Sequence, residues 1–239
     1  MIPQWQKGIV KRIEQATPHT RRFWIELLET EHFDFKPGQF VTFDLPIHEQ
    51  KNKRWRSYSI ASMPDGGNLI ELVIVHLENG LGSDYIFNNV KVGSDITLRG
   101  PQGVFTLPDN FDKDYYFICT GTGIAPFRSM LQYIAHHNIP TKKLHLIFGT
   151  RTKADILYEE EMRTLVTKLP QLSYHIALSR EENNNYQKGY LHNIYEQIAD
   201  PAIPSRFMLC GWRPMIDEAK QRLQHMGFDY KDIKEELYG

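Results

Sequence analysis

Tyr115-Tyr116-Phe117-Ile118-Cys119-Thr120-Gly121-Thr122-Gly123-Ile124-Ala125-Pro126 is the stretch from which the fold is read. Its first half, 115–120, is an apolar-rich run of the kind that forms a buried strand. Two glycines follow, and without Cβ atoms the backbone there can turn tightly and let a ligand approach closely. Pro126 suits the first position of a helix, where its missing N–H costs nothing, so a helix is expected over 126–136. The open amides and positive end of that helix would face the turn, a natural place for a pyrophosphate. Taken alone, Gly-x-Gly describes equally well a tight strand-to-helix turn that binds nothing. The full Gly-x-Gly-x-x-Gly fingerprint is absent here, as is a Gly-Lys-Ser/Thr phosphate loop.

Downstream, strands are expected at 144–149, 172–179 and 207–210, alternating with helices at 159–168, 191–198 and 214–226. Such alternation implies a parallel sheet with right-handed crossovers. Upstream of Pro108 the pattern differs. Short β-branched and aromatic runs at 8–14, 22–28, 39–45, 55–62, 69–77 and 95–99 are separated by turn signals such as Lys36-Pro37-Gly38 and Pro64-Asp65-Gly66-Gly67. They suggest an antiparallel barrel or sandwich, interrupted by a short helix at 82–89. The segment Arg22–Leu27 reads as apolar on both faces. The polar, Pro-containing joint 108–114 divides the chain into expected domains 1–110 and 111–239. The Asn-rich stretch 181–185 reads as an exposed loop.

The chain has 239 residues, 28 basic against 29 acidic side chains, 41% apolar residues and two cysteines. Such an apolar fraction excludes wholesale disorder, and the near-zero net charge removes a general affinity for polyanions, so no nucleic-acid partner is expected. Cys119 and Cys210 cannot make a four-cysteine metal site or a disulfide framework, and a reducing compartment is the default. The ten histidines are scattered, with no His-Glu-x-x-His, and no metal is expected. The start lacks an apolar signal core, and Leu72-Val73-Ile74-Val75 is far too short to span a bilayer. A soluble cytoplasmic protein without a membrane partner is the expectation; the oligomeric state is left open, a monomer being compatible.

In the first half, Arg56-Ser57-Tyr58-Ser59 lies in a strand-like run. Period two would put Arg56 and Tyr58 on one face and Ser57 and Ser59 on the other. An arginine can hold phosphate through its fork, and a tyrosine can stack on a flat ring. A surface Arg and a half-buried Tyr explain the pair equally well.

These residues, with others in the same order, resemble the motifs of the ferredoxin–NADP reductase superfamily. Arg56-Ser57-Tyr58-Ser59 resembles its Arg-x-Tyr-Ser flavin motif, and Gly80-Leu81-Gly82-Ser83 its Gly-x-x-Ser pyrophosphate turn. Gly100-Pro101-Gln102-Gly103-Val104-Phe105 is similar to the segment closing the flavin domain, and Gly121–Pro126 to the glycine turn on the nicotinamide side. Cys210-Gly211-Trp212-Arg213-Pro214-Met215 resembles the Cys-Gly-x-x-x-Met turn, and the chain ends Glu236-Leu237-Tyr238-Gly239. The resemblance implies an antiparallel Greek-key flavin-binding barrel followed by a Rossmann-like parallel α/β domain.

It also implies roles. Arg56 would neutralise flavin phosphate, Tyr58 pack against the isoalloxazine, and Ser59 place its hydroxyl near the ring nitrogen that accepts hydride. Val73, Ile74 and Val75 would offer backbone groups to the ribityl chain. His76 would reach the phosphates, or is an ordinary strand histidine. Ser83, with the amides near Gly80 and Gly82, would hold the pyrophosphate, which favours FAD over FMN. Gly121, Thr122 and Gly123, with Gly211, would bind the nicotinamide nucleotide. Cys210 and Glu236 would shape the hydride-transfer pocket, although Glu235 could be the inward carboxylate instead. Tyr238 matches a near-terminal aromatic that stacks over flavin, and the following Gly239 departs from the plant-type ending.

Ser179-Arg180 resembles the pair that binds the 2′-phosphate of NADPH, with Thr150, Arg151 and Lys188 near by. Glu181 and Glu182 follow directly and would instead suit NADH ribose hydroxyls; NADPH is the favoured reading. The expected activity is hydride transfer from NADPH to FAD, with electrons passed to a separate acceptor, ferredoxin or flavodoxin. Residues 1–60 carry ten basic against seven acidic side chains, a local excess that would steer an acidic partner. Two alternatives stand beside it. One is a reductase of free flavin, ferric chelates or an oxygenase component; the other is a non-catalytic nucleotide-binding adaptor or sensor.

Overall fold

The computed structural model describes residues 3–238. The chain divides into two compact units, one of residues 1–107 with Arg128–Tyr133, the other of residues 108–127 and 134–239.

The first unit contains β1 (Trp5–Thr17), β2 (Thr20–Leu27), β3 (Phe40–Asp44), β4 (Trp55–Ser59), β5 (Leu69–Val75), α1 (Leu81–Asn89) and β6 (Asp95–Gln102). The strands pair antiparallel in the order β4-β3-β6-β1-β2-β5, and a bridge from Ile60 to Leu72 joins the two ends into a barrel. After α1 the chain returns to lay β6 between β3 and β1, a Greek-key connection. Val10, Phe23, Ile25, Val41, Phe43, Leu72 and Leu98 fill the interior.

β2 departs from its sequence reading. Its burial alternates, with Phe23, Ile25 and Leu27 inward. Trp24 points outward, and the guanidinium groups of Arg12 and Arg22 cover its ring at 4.5 and 4.6 Å. An aromatic shielded by cations is stable on an outer face, which is why both faces read as apolar. On β5, Glu71 is only 3% exposed. It receives Arg22 Nε at 2.6 Å and Arg128 Nη1 at 3.0 Å.

The second unit contains β7 (Asp114–Thr120), β8 (Leu144–Thr150), α3 (Glu159–Lys168), β9 (Leu172–Leu178), β10 (Gln187–Lys188), α4 (His192–Ile198), β11 (Ser205–Trp212), α5 (Arg213–His225) and β12 (Ile233–Tyr238). α2 (Ile124–His136) contributes its two ends to this unit. The sheet is wholly parallel, in the order β10-β9-β8-β7-β11-β12. β7 is buried over six of its seven residues, as a strand covered on both faces must be. Tyr116 stacks on Phe207 at 4.8 Å, and Phe228 meets Phe207 edge-on at 4.6 Å. No helix is long and apolar enough to cross a membrane.

Two features of this unit differ from expectation. α2 begins at Ile124, directly after a single 3-10 turn over Gly121–Gly123, so Pro126 is its third residue. All N–H groups of a first turn lack intrahelical acceptors, so proline is tolerated there as well as at the first position. β10 and β12, the edges of the sheet, were not foreseen.

His145 of β8 hydrogen-bonds through Nδ1 to Ser173 Oγ at 2.7 Å, and His175 Nε2 lies 3.1 Å from the same hydroxyl. Burial, then the proximity of His175, lowers the His145 pKa to about 4; burial lowers that of His175. Unfolded imidazoles take up protons below about pH 6.5, whereas these resist until the pH is lower. Stability is therefore fully present above about pH 6.5 and is lost as pH falls toward 4. Thermal melting at pH 7 and pH 5 should differ by roughly 3–6 °C through this pair. The double variant His145→Gln/His175→Gln should remove most of that difference.

Candidate functional site

In the first unit, β4 carries the Arg-x-Tyr-Ser residues. Tyr58 packs on the barrel core beside Phe43, ring centroids 5.1 Å apart, and burial raises its pKa. Ser59 is buried, while Ser57 is exposed and hydrogen-bonds to Thr42 Oγ1 at 3.0 Å. The Arg56 stem runs along α1, so that a Cβ at Gly82 would lie 2.8 Å from its Cγ. Its Nη1 donates to the carbonyls of Trp55 (2.7 Å) and Lys53 (3.1 Å), which fixes the guanidinium beside the start of α1.

Ser83, expected at the pyrophosphate, is engaged within its own turn in this structure. Its hydroxyl accepts from Leu77 N at 3.0 Å and reaches the carbonyls of Gly80 (3.0 Å) and Leu77 (3.2 Å). It ties the turn together, and the donors left for an anion are the first backbone amides of α1. His76 Nε2 is 2.6 Å from Asp84 Oδ1. Sequence reasoning missed Asp84, because its partner belongs to the end of a strand rather than to its own helix face. β5 pairs with β2 on one edge, and its other edge meets residues 60–62 at Glu71 and Leu72. Beyond Leu72, backbone groups of Val73, Ile74 and Val75 that point away from β2 have no strand partner among the described residues.

In the second unit, the remaining candidates collect at the carboxyl ends of the strands, where open α/β sheets bind ligands. Gly121 adopts φ +53°, with nothing within 4 Å of where its Cβ would stand. Gly123 is closed in: a Cβ there would collide with the Cys210 carbonyl oxygen. At Gly211, with φ +143°, a Cβ would strike Thr120 Oγ1, a buried hydroxyl without a hydrogen-bond partner among the described residues. This turn therefore has one open side and one side pressed onto β11. It fits a ligand approaching from the Gly121 side, and Thr122 lies between the two glycines.

Cys210 is fully buried, in register with Cys119 on one side and Glu236 on the other. Burial and then the Glu236 charge push its thiol pKa well up. Glu235 is not the inward carboxylate: it pairs with Lys220 of α5 at 2.6 Å. Tyr238 closes β12, and Gly239 lies outside the described residues.

The loops after β8 and β9 are laced together by Ser179 N to Thr150 O (3.0 Å), Ser179 Oγ to Thr150 O (3.2 Å) and Arg180 N to Arg151 O (2.9 Å). Arg151 and Arg180 are exposed, and neither has an acidic partner among the described residues. The two acids expected to compete are engaged locally. Glu181 accepts Lys153 N at 2.7 Å, and Glu182 pairs with Lys188 Nζ at 2.8 Å, which also removes Lys188 from the free cations.

Comparison with known proteins agrees with this geometry. Residues 7–107 match the oxidoreductase FAD-binding domain, and residues 117–221 the oxidoreductase NAD-binding domain. The chain is 30% identical over 236 residues to ferredoxin–NADP reductase B of Sorangium cellulosum, covering 95% of this chain and 94% of that one. It is 28% identical to the glycine betaine monooxygenase reductase subunit of Chromohalobacter salexigens, and there it spans only 62% of the relative's length. Among solved structures, a ferredoxin NADP+ reductase from Neisseria gonorrhoeae with bound FAD and NADP superposes with a TM-score of 0.82. That likeness, at 24% identity and 98% coverage of both chains, is one of fold. The chain belongs to the ferredoxin–NADP reductase superfamily of NAD(P)H-dependent flavoprotein oxidoreductases, with FAD and a nicotinamide nucleotide as cofactors.

Proposed function

We propose that the protein takes hydride from NADPH onto FAD and hands the electrons to a separate protein carrier, a ferredoxin or flavodoxin, in the cytoplasm. Bound FAD supplies the junction chemistry, accepting a hydride and releasing electrons singly. The chain's own residues bind and orient. Arg56 and the α1 amides hold phosphate, Tyr58 offers a flat packing surface, and Ser59 presents a hydroxyl that donates or accepts as needed. On the nucleotide side the raised pKa keeps Cys210 as an uncharged S–H against the nicotinamide, with the Glu236 carboxylate close by. Two buried, unlinked thiols suit a reducing compartment.

The observation that carries the choice of NADPH is the pair of exposed guanidinium groups, Arg151 and Arg180, without an acidic partner among the described residues, on laced loops beside Ser179. A fixed cation pair with a hydroxyl suits a phosphate dianion, and charge-assisted hydrogen bonds of this kind are the strong ones. Arg180→Glu should raise KM for NADPH by about 30-fold while changing KM for NADH less than about threefold. Equal effects on both nucleotides would remove the 2′-phosphate from the reading.

A carrier protein as acceptor is supported by the local basic excess of residues 1–60 and by the match, over 95% of this chain and 94% of the other, to a relative named ferredoxin–NADP reductase. A second reading, reduction of an oxygenase component, is favoured by the names of relatives such as the anthranilate 1,2-dioxygenase electron transfer component of Acinetobacter baylyi. This chain spans 54% of that relative. Rapid, salt-sensitive reduction of a ferredoxin, measured beside free flavin and an oxygenase, separates the two.

A further inference from the structure

Two carboxylates, Glu181 and Glu182, follow Arg180 directly. A phosphate dianion held by Arg180 would be repelled by both. The fold treats the two acids differently. Glu181 turns back to the loop after β8, where its Oε2 accepts the Lys153 amide at 2.7 Å. It is fixed there but keeps its charge. Glu182 has a counter-ion: Lys188 Nζ stands 2.8 Å from its Oε2. Lys188 reaches it from β10, where it is in register with Leu178, the residue before Ser179. Gly189 N holds that register by donating to Leu178 O at 2.8 Å. Adjacent strands lie about 4.8 Å apart, so Lys188 is one strand's width from the end of β9. The loop between is closed by Tyr186 N to Asn183 O at 3.1 Å and by Tyr186 Oη to Glu159 Oε1 at 2.9 Å. The other charges on these loops are Arg151 and Lys153, both exposed. With its side chains 67% and 74% exposed, the Lys188–Glu182 pair adds little to stability. What it alters is the charge that a ligand meets.

We propose that Lys188 is a positioning residue for coenzyme choice that acts through Glu182. It holds and cancels the carboxylate that would otherwise repel the 2′-phosphate of NADPH, and it does not itself touch that phosphate. The inference rests on the NADPH reading and adds to it a residue that sets selectivity from one strand away. NADH carries a neutral hydroxyl at the 2′ position, so its binding is indifferent to the pair. The effect is one of exposed charges and is therefore screened by salt.

The test is titration calorimetry of the FAD-loaded protein with 2′,5′-ADP, which carries the 2′-phosphate without the nicotinamide, at low ionic strength. Lys188→Met should weaken 2′,5′-ADP about fourfold, and Glu182→Gln should tighten it by about as much. The double variant should bind within about twofold of the wild type. KM for NADPH should follow the same order with kcat unchanged, while KM for NADH stays within about twofold throughout. High salt should erase the differences. A double variant as weak as Lys188→Met would mean that Lys188 holds the phosphate itself, which overturns the inference. Unchanged 2′,5′-ADP binding in Lys188→Met overturns it as well. Both results leave the NADPH reading standing where Arg180→Glu loses 2′,5′-ADP. A wild type that does not bind 2′,5′-ADP, or binds it no better than Arg180→Glu does, overturns both.

Discussion

Gly123→Ala should lower kcat/KM for NADPH by about two orders of magnitude, while bound flavin keeps its absorbance. The added Cβ would meet the Cys210 carbonyl oxygen, its carbon at 2.8 Å and Gly211 Cα at 3.2 Å, all backbone that no rotamer change can clear. The glycine turn would have to lift from β11, carrying Thr122 away from Cys210. Misplacement of this size costs about 3 kcal/mol in reactions that depend on alignment, or roughly 100-fold in rate. Gly121→Ala is the control. Its Cβ meets nothing, so the cost there is confined to the strained φ of +53° and to whatever ligand uses that open side. Unchanged NADPH kinetics in Gly123→Ala would mean that the turn takes no part in nucleotide binding.

Glu71→Ala should destabilise the barrel strongly although it removes no core side chain. It removes the acceptor shared by Arg22 and Arg128, the second of which is itself buried and otherwise donates to Ala61 O at 2.7 Å. Breaking a buried ion pair by deleting one partner costs about 3–5 kcal/mol. Arg22 keeps Glu14 at 3.6 Å and the Trp24 ring, so about 3 kcal/mol is expected, or a fall in Tm of roughly 6–12 °C. Glu71→Gln, which keeps volume and one acceptor, should lose about half as much. A fall of less than about 2 °C in Glu71→Ala, read by thermal melting, would show that the network adds no net stability.

The parts of the fold that were legible in the sequence are those where one physical demand fixes residue type. β7 is buried over nearly its whole length, so it is apolar from Tyr115 to Cys119; Gly123 faces the β11 backbone, so only hydrogen fits. β12 was not legible, because an edge strand with the sequence Ile-Lys-Glu-Glu-Leu-Tyr is protected by charge and loses its alternation. β10 has two residues, too few to show a period. At the candidate site, Arg56, Cys210 and the Ser179-Arg180 pair stood out as motif residues. What the motifs could not show is which polar groups are already engaged. The Ser83 hydroxyl is tied into its own turn, Glu181 and Glu182 are paired locally, and Asp84 holds His76. Those partners are distant in sequence or set by loop geometry, and neither leaves a periodic mark. Glu235 and Glu236 were ambiguous for the opposite reason: adjacent strand residues face opposite sides, and only Lys220 on α5 decides which is which.

The central claim is tested most directly by anaerobic stopped-flow mixing of the FAD-loaded protein with NADPH, and separately with NADH. The visible flavin absorbance should bleach with both nucleotides, faster and at lower concentration with NADPH, and return when an oxidised ferredoxin is added. A protein that shows no flavin absorbance even after FAD is supplied, or bound flavin that NADPH does not bleach, would contradict the account.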